Sequence, residues 1–121
     1  MPQATILVVD DSPTQMKLAT NCLQTQGYRL ITAVDGEEAL RKAASEKPDL
    51  IVLDVILPGQ NGFQICRTLK TSSETQGIPV VMLTSKNQDS DRFWGMKQGA
   101  DAYLTKPFVE SDLLATVAKH L

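Results

Sequence analysis

Three carboxylates, a pair of hydroxyls and a lysine each stand where a short apolar segment of the sequence ends. In chain order they are Asp10 and Asp11, Asp54, Thr84 and Ser85, and Lys106. If the fold brings them together, the crowded carboxylates repel one another unless a cation offsets their charge. Their oxygen atoms suit a hard divalent ion, and an octahedral Mg²⁺ that keeps some of its waters fits best. No Cys or His stands nearby in the sequence, which excludes zinc.

A carboxylate beside Mg²⁺, a lysine and a hydroxyl can accept a phosphoryl group. The metal and Lys106 would offset charge on the equatorial phosphoryl oxygens while the carboxylate attacks phosphorus in line. Asp54 is the predicted nucleophile because it is the lone acid of its segment, with apolar residues on both sides. Asp10 and Asp11 would then serve as metal ligands.

Each of these residues taken alone has an ordinary structural explanation. Asp11 or Ser12 could cap a helix, and Asp54 could be a turn residue. Thr84 could cap the following loop, and Lys106 alone would be solvated. Their coincidence at the ends of four apolar segments is what favours a shared site.

Short apolar segments and amphipathic segments alternate five times along the chain. The apolar segments lack a polar residue at every second position, which is typical of strands buried on both faces of a parallel sheet. They are residues 5–9, 29–33, 50–53, 79–83 and 102–104. The first helix should begin at Pro13 with Ser12 as its cap and stop near Gly27. Apolar stripes predict the other helices within 36–45, 63–69, 93–100 and 110–121.

Five β-α units predict a single α/β domain over residues 1–121. Right-handed crossovers leave few topologies, and a doubly wound, flavodoxin-like (βα)5 fold is the natural one at this length. It has a five-stranded parallel sheet with strand order 2-1-3-4-5, and its site lies beyond the carboxyl ends of the strands. That is the edge where the acids, the hydroxyls and the lysine are expected.

The composition excludes several functional classes. The 121 residues include 12 Lys and Arg against 14 Asp and Glu, and this acidic balance argues against a nucleic-acid partner. No apolar run approaches the roughly 20 residues that span a bilayer, and residues 1–10 lack the features of a signal peptide. We therefore expect a soluble cytoplasmic domain without membrane contact. The start at Met1 and the complete last helix favour a natural single-domain protein without an effector domain.

Four motifs, in this order, resemble the receiver domain of bacterial response regulators, the CheY-like superfamily. They are VVDDS at 8–12, LDVILPGQNG at 53–62, VVMLTS at 80–85 and GADAYLTKPF at 99–108. The resemblance covers essentially the whole chain, and the set is highly specific, whereas a lone DD or KP would mean little. It implies a signalling switch that takes a phosphoryl group from a CheA-type histidine kinase or a phosphotransfer protein.

The resemblance also implies a role for each matching acid. Asp54 is the phosphoacceptor, and Asp11 with Asp54 coordinates Mg²⁺. Asp10 acts on the metal directly or through water. The main-chain carbonyl of Ile56 is expected as a third protein ligand.

The remaining motif positions are implied to respond to the phosphoryl group. Thr84 would hydrogen-bond it, and Lys106 would pair with it, with a cis Lys106–Pro107 peptide bond. Tyr103 matches the switch aromatic of the family, whose ring can swing inward when Thr84 moves; it could instead be an ordinary half-buried residue at the strand edge. The switched surface would be the fourth helix, fifth strand and fifth helix, which would contact a downstream motility protein. A monomer is expected, which phosphorylation could convert into a dimer.

A closer likeness covers residues 70–107. Its SK-QDSDR-WG--QGA pattern resembles the stand-alone receivers of type IV pilus chemosensory systems, the PilH type, which act in twitching or phototactic motility. The predicted inward stripe of the fourth helix is Phe93, Met96 and Ala100. That stripe would turn Trp94 sideways or outward, where it could contact a partner; otherwise Trp94 caps the core.

Three other hypotheses stay open at the level of sequence. The chain could be a phosphate sink without a target of its own, which a phosphoryl half-life short beside that of a sister receiver would favour. A small phosphatase with an aspartyl nucleophile usually has a second acid two residues later, where this chain has Ile56. A flavodoxin-type cofactor binder would have Gly, Ser and Thr in its first loop, where Asp10 and Asp11 would repel the FMN phosphate. The chain is expected to catalyse only its own phosphorylation and dephosphorylation.

Overall fold

The structure, a computed structural model, describes residues 3–121. The first two residues of the predicted 1–121 domain, Met1 and Pro2, lie outside the described residues. Strands and helices alternate as β1 (Thr5–Val9), α1 (Pro13–Gln24), β2 (Arg29–Ala33), α2 (Gly36–Glu46), β3 (Leu50–Leu53), α3 (Gly62–Thr71), β4 (Val80–Thr84), α4 (Asp89–Lys97), β5 (Ala102–Thr105) and α5 (Glu110–His120). No helix within residues 3–121 combines the length and the apolar character needed to cross a bilayer.

The five strands form one parallel sheet in the order β2-β1-β3-β4-β5, which confirms the predicted fold. Val9 pairs with Leu53, and Leu53 pairs with Met82, so β1, β3 and β4 are in register near their carboxyl ends. Thr84 and Thr105 pair at the ends of β4 and β5. The residues that follow these strands therefore meet at one edge of the sheet.

Helices cover both faces of the sheet. Successive β1 residues point to opposite faces, with Leu7 and Val9 in one core cluster and Ile6 and Val8 in the other. Buried residues of α2 and α3 belong to the first cluster, and those of α1 and α5 to the second. This two-sided burial is the reason that the inner strands β1, β3 and β4 are apolar without alternation.

Local sequence signals start and stop α1 as predicted. The Ser12 hydroxyl oxygen accepts a hydrogen bond from the Gln15 N–H at 3.3 Å, and Pro13 is the first helical residue. The helix ends at Gln24, and Gly27 adopts a φ of 78° in the turn that follows. Glycine takes this left-handed conformation without the steric penalty of a side chain.

The predicted inward stripe of α4 is wrong. The Phe93 and Met96 side chains are 62% and 46% exposed, and the buried residue of α4 is Gly95. A Cβ atom at Gly95 would lie 2.9 Å from both Met82 Sδ and Tyr103 Cδ2. The Tyr103 ring fills the space beneath α4, and only a glycine lets the helix approach it this closely.

Ala100 and Trp94, the other two residues of this prediction, have the expected exposure. Ala100 is buried as expected, but it follows the end of α4. Trp94 is 53% exposed, so it faces outward as predicted and does not cap the core. The reason differs from the predicted one, because Trp94 belongs to a helix whose buried residue is Gly95 rather than Phe93.

Candidate functional site

The sequence-predicted acids and lysine line one cleft of about 540 Å³ at the carboxyl edge of the sheet. Its lining includes Asp10, Asp11, Asp54, Ile56, Lys106 and Pro107. Asp10 and Asp54 are buried, whereas Asp11 and Ile56 are exposed at the mouth. The parallel register brings these residues together although Asp10 and Lys106 are 96 positions apart in the chain.

Asp54 follows β3 with its carboxylate held from two sides. One oxygen, Oδ1, accepts the Ile56 N–H at 3.0 Å, and the other, Oδ2, accepts Lys106 Nζ at 3.1 Å. Helix α3 begins directly against this backbone, since a Cβ at Gly62 would lie 2.2 Å from the Asp54 carbonyl oxygen. Gly62 is thus required for the site, and sequence analysis missed this requirement although Gly62 closes the LDVILPGQNG motif.

Lys106 joins the two buried carboxylates of the cleft. Its Nζ donates to Asp10 Oδ2 as well as to Asp54 Oδ2, and the lysine side chain is only 9% exposed. The other oxygen of Asp10 accepts the Ser12 N–H at 3.0 Å. One ammonium group therefore faces two carboxylates, with Asp11 adding a third at the mouth, and the cleft carries net negative charge. The Lys106–Pro107 peptide bond is cis, as the resemblance implied.

The chemistry of the donor set fits Mg²⁺. Asp11 and Asp54 offer carboxylate oxygens and the loop after β3 offers main-chain carbonyls, which are the ligands that Mg²⁺ prefers. Within residues 3–121, no three His, Cys, Asp or Glu side chains converge in an arrangement that could hold a metal ion. The implied set does not need such a triplet, because it consists of two carboxylates, the Ile56 carbonyl and water. Both oxygens of Asp10 and both oxygens of Asp54 accept hydrogen bonds, so these bonds do not distinguish a direct Asp10 ligand from one that acts through water.

Thr84 stands one strand away from Asp54, as the last residue of β4. It is fully buried, and its main-chain carbonyl accepts the Lys106 N–H at 2.8 Å. Its hydroxyl oxygen accepts the Lys86 N–H at 3.4 Å, a long and therefore weak bond. Thr84 does not line the cleft in this structure, whereas Ser85 does.

Tyr103 lies inside the protein, with its ring beneath α4 and only 4% of its surface exposed. The half-buried edge position considered for it is therefore wrong. Its hydroxyl donates to the Lys86 carbonyl at 2.8 Å, and burial raises the pKa of this phenol to about 12, so it stays a neutral donor. Arg92 of α4 also contacts Tyr103. Its Nη1 donates a hydrogen bond to the Tyr103 carbonyl at 2.8 Å, and its guanidinium lies 5.3 Å from the centroid of the Tyr103 ring.

Replacing Gly95 with alanine should destabilise the protein by up to about 2 kcal/mol. Overpacking against the Tyr103 ring costs about 1–3 kcal/mol, which outweighs the roughly 1 kcal/mol that alanine gains over glycine in a helix. Urea unfolding followed by circular dichroism measures the change. In a Tyr103→Val background, Gly95→Ala should cost less, because the ring is gone and the Met82 side chain has room to move away from the new Cβ. A loss of equal size in both backgrounds would contradict the packing argument.

Comparison with known proteins places this chain among signalling proteins. The sequence profile of the response regulator receiver domain matches residues 6–118. Protein PilH of Pseudomonas aeruginosa is 46% identical over 114 residues, which cover 94% of each chain. The alkaline phosphatase synthesis transcriptional regulatory protein PhoP of Bacillus subtilis is 47% identical over 112 residues. That match covers 93% of this chain but only 46% of the length of PhoP.

Solved structures with the same fold agree with the sequence matches. A putative response regulator from Chloroflexus aurantiacus superposes with a TM-score of 0.95 and 34% identity, covering 98% of each chain. The chemotaxis response regulator CheY4 of Vibrio cholerae superposes with a TM-score of 0.91 and 35% identity, covering 99% of this chain and 100% of the other. These likenesses extend over the whole (βα)5 sheet and all of its helices.

Proposed function

The chain belongs to the response regulator receiver domain family, and we propose that it accepts a phosphoryl group on Asp54 from a histidine kinase or a phosphotransfer protein. The observation that carries the proposal is a buried Asp54 carboxylate, 3.1 Å from the Lys106 ammonium and facing a cleft. The Ile56 N–H orients one oxygen of this carboxylate, so the nucleophile keeps its geometry as the donor approaches.

In the proposed transfer, an Asp54 oxygen attacks phosphorus in line while the P–N bond to the donor imidazole breaks and its electron pair returns to nitrogen. Lys106 is in position to pair with a phosphoryl oxygen, because its Nζ already lies beside Asp54. Mg²⁺ held by Asp11, Asp54 and the Ile56 carbonyl would supply positive charge that offsets the phosphoryl oxygens. Asp10 keeps Lys106 at the cleft through their ion pair and would contact the metal directly or through water.

The proposed response to phosphorylation runs through Thr84 and Tyr103. Because the Thr84 hydroxyl makes a long hydrogen bond of 3.4 Å to the Lys86 N–H, it can turn towards a phosphoryl group on Asp54 at little cost. The Tyr103 hydroxyl is bonded to the carbonyl of the same Lys86. A shift of residues 84–86 would therefore move the acceptor that holds the ring, and α4 rests on that ring.

The proposed output surface consists of α4, β5 and α5, with Tyr103, Trp94 and Pro107 among its residues. Exposed aromatic side chains anchor protein interfaces, and Trp94 is one on α4. The likeness to PilH-type receivers supports a downstream partner in type IV pilus motility, reached by protein contact. The two acids after β1, Asp10 and Asp11, are adjacent, and Ile56 occupies the position where an aspartyl phosphatase would have its general acid. We therefore propose no catalysis beyond the chain's own phosphorylation and dephosphorylation.

The single tryptophan of the chain reports on this switch. We expect the Trp94 emission to change when Mg²⁺ and then acetyl phosphate or beryllofluoride are added to the wild-type protein. The Asp54→Asn variant, measured in parallel, should show no change with acetyl phosphate or with beryllofluoride. An equal change in both proteins would contradict a switch that starts at Asp54.

Ile56 should make the phosphoryl group long-lived. It lies two residues after Asp54 at the mouth of the cleft, 51% exposed, and its apolar side chain cannot orient a hydrolytic water. Ile56→Asn should shorten the phosphoryl half-life roughly tenfold, because a positioned hydrogen-bonding group can align the water. Loss of the phosphoryl adduct over time measures it, with Ile56→Val as the control. An unchanged phosphoryl half-life in Ile56→Asn would contradict this explanation. A short half-life in the wild type would favour the hypothesis of a phosphate sink.

A further inference from the structure

Helix α4 contacts Tyr103 at both its main chain and its ring. Arg92 Nη1 donates a hydrogen bond to the Tyr103 carbonyl at 2.8 Å, and the guanidinium lies 5.3 Å from the ring centroid. Gly95 lies three residues after Arg92 and therefore on the same side of the helix. A Cβ atom at Gly95 would lie 2.9 Å from Tyr103 Cδ2, so the helix packs directly on the ring. One side of α4 thus holds a single residue of β5 through two different contacts.

The hydroxyl end of the ring is held by the loop that follows β4. It donates a hydrogen bond to the Lys86 carbonyl at 2.8 Å, whereas the Thr84 hydroxyl oxygen accepts the N–H of the same Lys86 at 3.4 Å. Thr84 and Tyr103 therefore bind different groups of one residue. The contacts that keep the ring inward use neither the Thr84 hydroxyl nor Asp54, so they do not require Thr84 to turn towards Asp54.

Rotation of the Tyr103 ring away from the protein would break its contacts with three parts of the structure. The side chain would lose its hydrogen bond to the loop after β4 and its contact with the Arg92 guanidinium. It would also leave a cavity beside Gly95 and the fully buried Met82, and an unfilled cavity in a core is costly. A displacement of residues 84–86 therefore moves a ring that is attached to α4 rather than a ring that turns freely.

We propose that Arg92 is a positioning residue that joins Tyr103 to α4, so that the ring stays inward and moves together with the helix when Asp54 is phosphorylated. The inference rests on the proposed function and specifies how its output surface responds. The family resemblance implies a ring that swings inward when Thr84 moves, whereas these contacts make α4 the part that moves. A hydrogen bond from an ionised donor is stronger than one between neutral groups, which suits the Arg92 guanidinium to this role.

The position of the ring is the first measurement, in a Tyr28→Phe background that leaves Tyr103 as the single tyrosine. Nuclear magnetic resonance of ring-labelled tyrosine, with a soluble gadolinium chelate in the solvent, reports the exposure of the ring as paramagnetic broadening. With Arg92 present, the broadening should be equally small before and after treatment with Mg²⁺ and acetyl phosphate. In Arg92→Met it should be about threefold larger before treatment, since a cation–π contact at an exposed site shifts an equilibrium by roughly this factor. An exposed ring with Arg92 present, or unchanged broadening in Arg92→Met, would overturn the proposal.

The response of the helix is the second measurement, through the emission of Trp94. The change in emission on phosphorylation should be about threefold smaller in Arg92→Met than in the wild type, because the ring no longer carries the helix with it. Intact mass should show the same phosphoryl yield in both proteins, since Arg92 does not line the cleft. A phosphorylated wild type without any Trp94 response, or a full response in phosphorylated Arg92→Met, would contradict the proposal.

Two further variants separate this role from a general loss of structure. Arg92→Lys keeps a cation and N–H donors at the same position, so it should recover part of the Trp94 response. Arg67→Met removes an exposed arginine of α3 and should respond like the wild type; a loss as large as that in Arg92→Met would refute a specific role for Arg92. Circular dichroism checks that each variant is folded. A wild type that forms no phosphoryl adduct would reject phosphoryl acceptance instead, and the exposure of the untreated ring would still decide whether Arg92 holds Tyr103 inward.

Discussion

The Asp54→Asn variant is expected to form no phosphoryl adduct under conditions in which the wild type is modified to high yield. An amide is a poor nucleophile, whereas the wild-type carboxylate attacks phosphorus directly. The substitution keeps the size of the side chain, and the amide oxygen can still accept the Ile56 N–H or the Lys106 ammonium. Intact-mass measurement after treatment with Mg²⁺ and acetyl phosphate gives the result.

The matched control for this loss is Asp112→Asn, which makes the same chemical change at an exposed position of α5. It should be modified like the wild type, with the mass of one phosphoryl group added. An adduct of wild-type yield in Asp54→Asn would place the acceptor elsewhere. Asp11 and Asp10 would then be the residues to replace next, since both line the cleft.

Lys106→Met should lower the free energy of unfolding by about 3 kcal/mol in buffer without metal. Removing one partner of a buried ion pair leaves the other charge uncompensated, which costs about 3–5 kcal/mol, and the apolar methionine recovers part of this by packing. Here two buried carboxylates, Asp10 and Asp54, lose their shared ammonium. Urea unfolding measures the loss.

Two comparisons make the Lys106 result specific. Lys119→Met removes an exposed lysine from α5 and should change the stability by less than about 0.5 kcal/mol. Added Mg²⁺ should reduce the loss in Lys106→Met, because a divalent cation at the cleft offsets the same carboxylates. A Lys106→Met protein as stable as the wild type without metal would show that Lys106 does not balance Asp10 and Asp54.

The fold and the clustering of the site residues could be predicted because both follow from short-range patterns and one rule of topology. The inner strands β1, β3 and β4 are almost entirely apolar, since helices cover both faces of the sheet. Parallel strands end at one edge, so residues directly after β1, β3 and β5 had to meet. Asp10, Asp54 and Lys106 are those residues, and their contacts are the ones observed.

The orientation of α4 could not be predicted, because periodicity records which residues are apolar and not what lies beneath the helix. The Tyr103 ring occupies the space that Phe93 and Met96 would need, and Gly95 is the residue that fits against it. The partly buried hydrogen bonds of Arg92 to Tyr103 and of Tyr103 to Lys86 depend on the same placement. Such contacts depend on side-chain positions in three dimensions and leave no periodic signal in the chain.

The acyl phosphate itself offers the most direct measurement of the central claim. Borohydride reduces an aspartyl phosphate to the corresponding alcohol and leaves free carboxylates unchanged, so peptide mass spectrometry can locate the modified residue. After treatment with Mg²⁺ and acetyl phosphate, we predict a reduced side chain at position 54 and at no other acid of the cleft. Reduction at Asp10 or Asp11, or no reduction anywhere in the chain, would contradict the assignment of Asp54 as the phosphoacceptor.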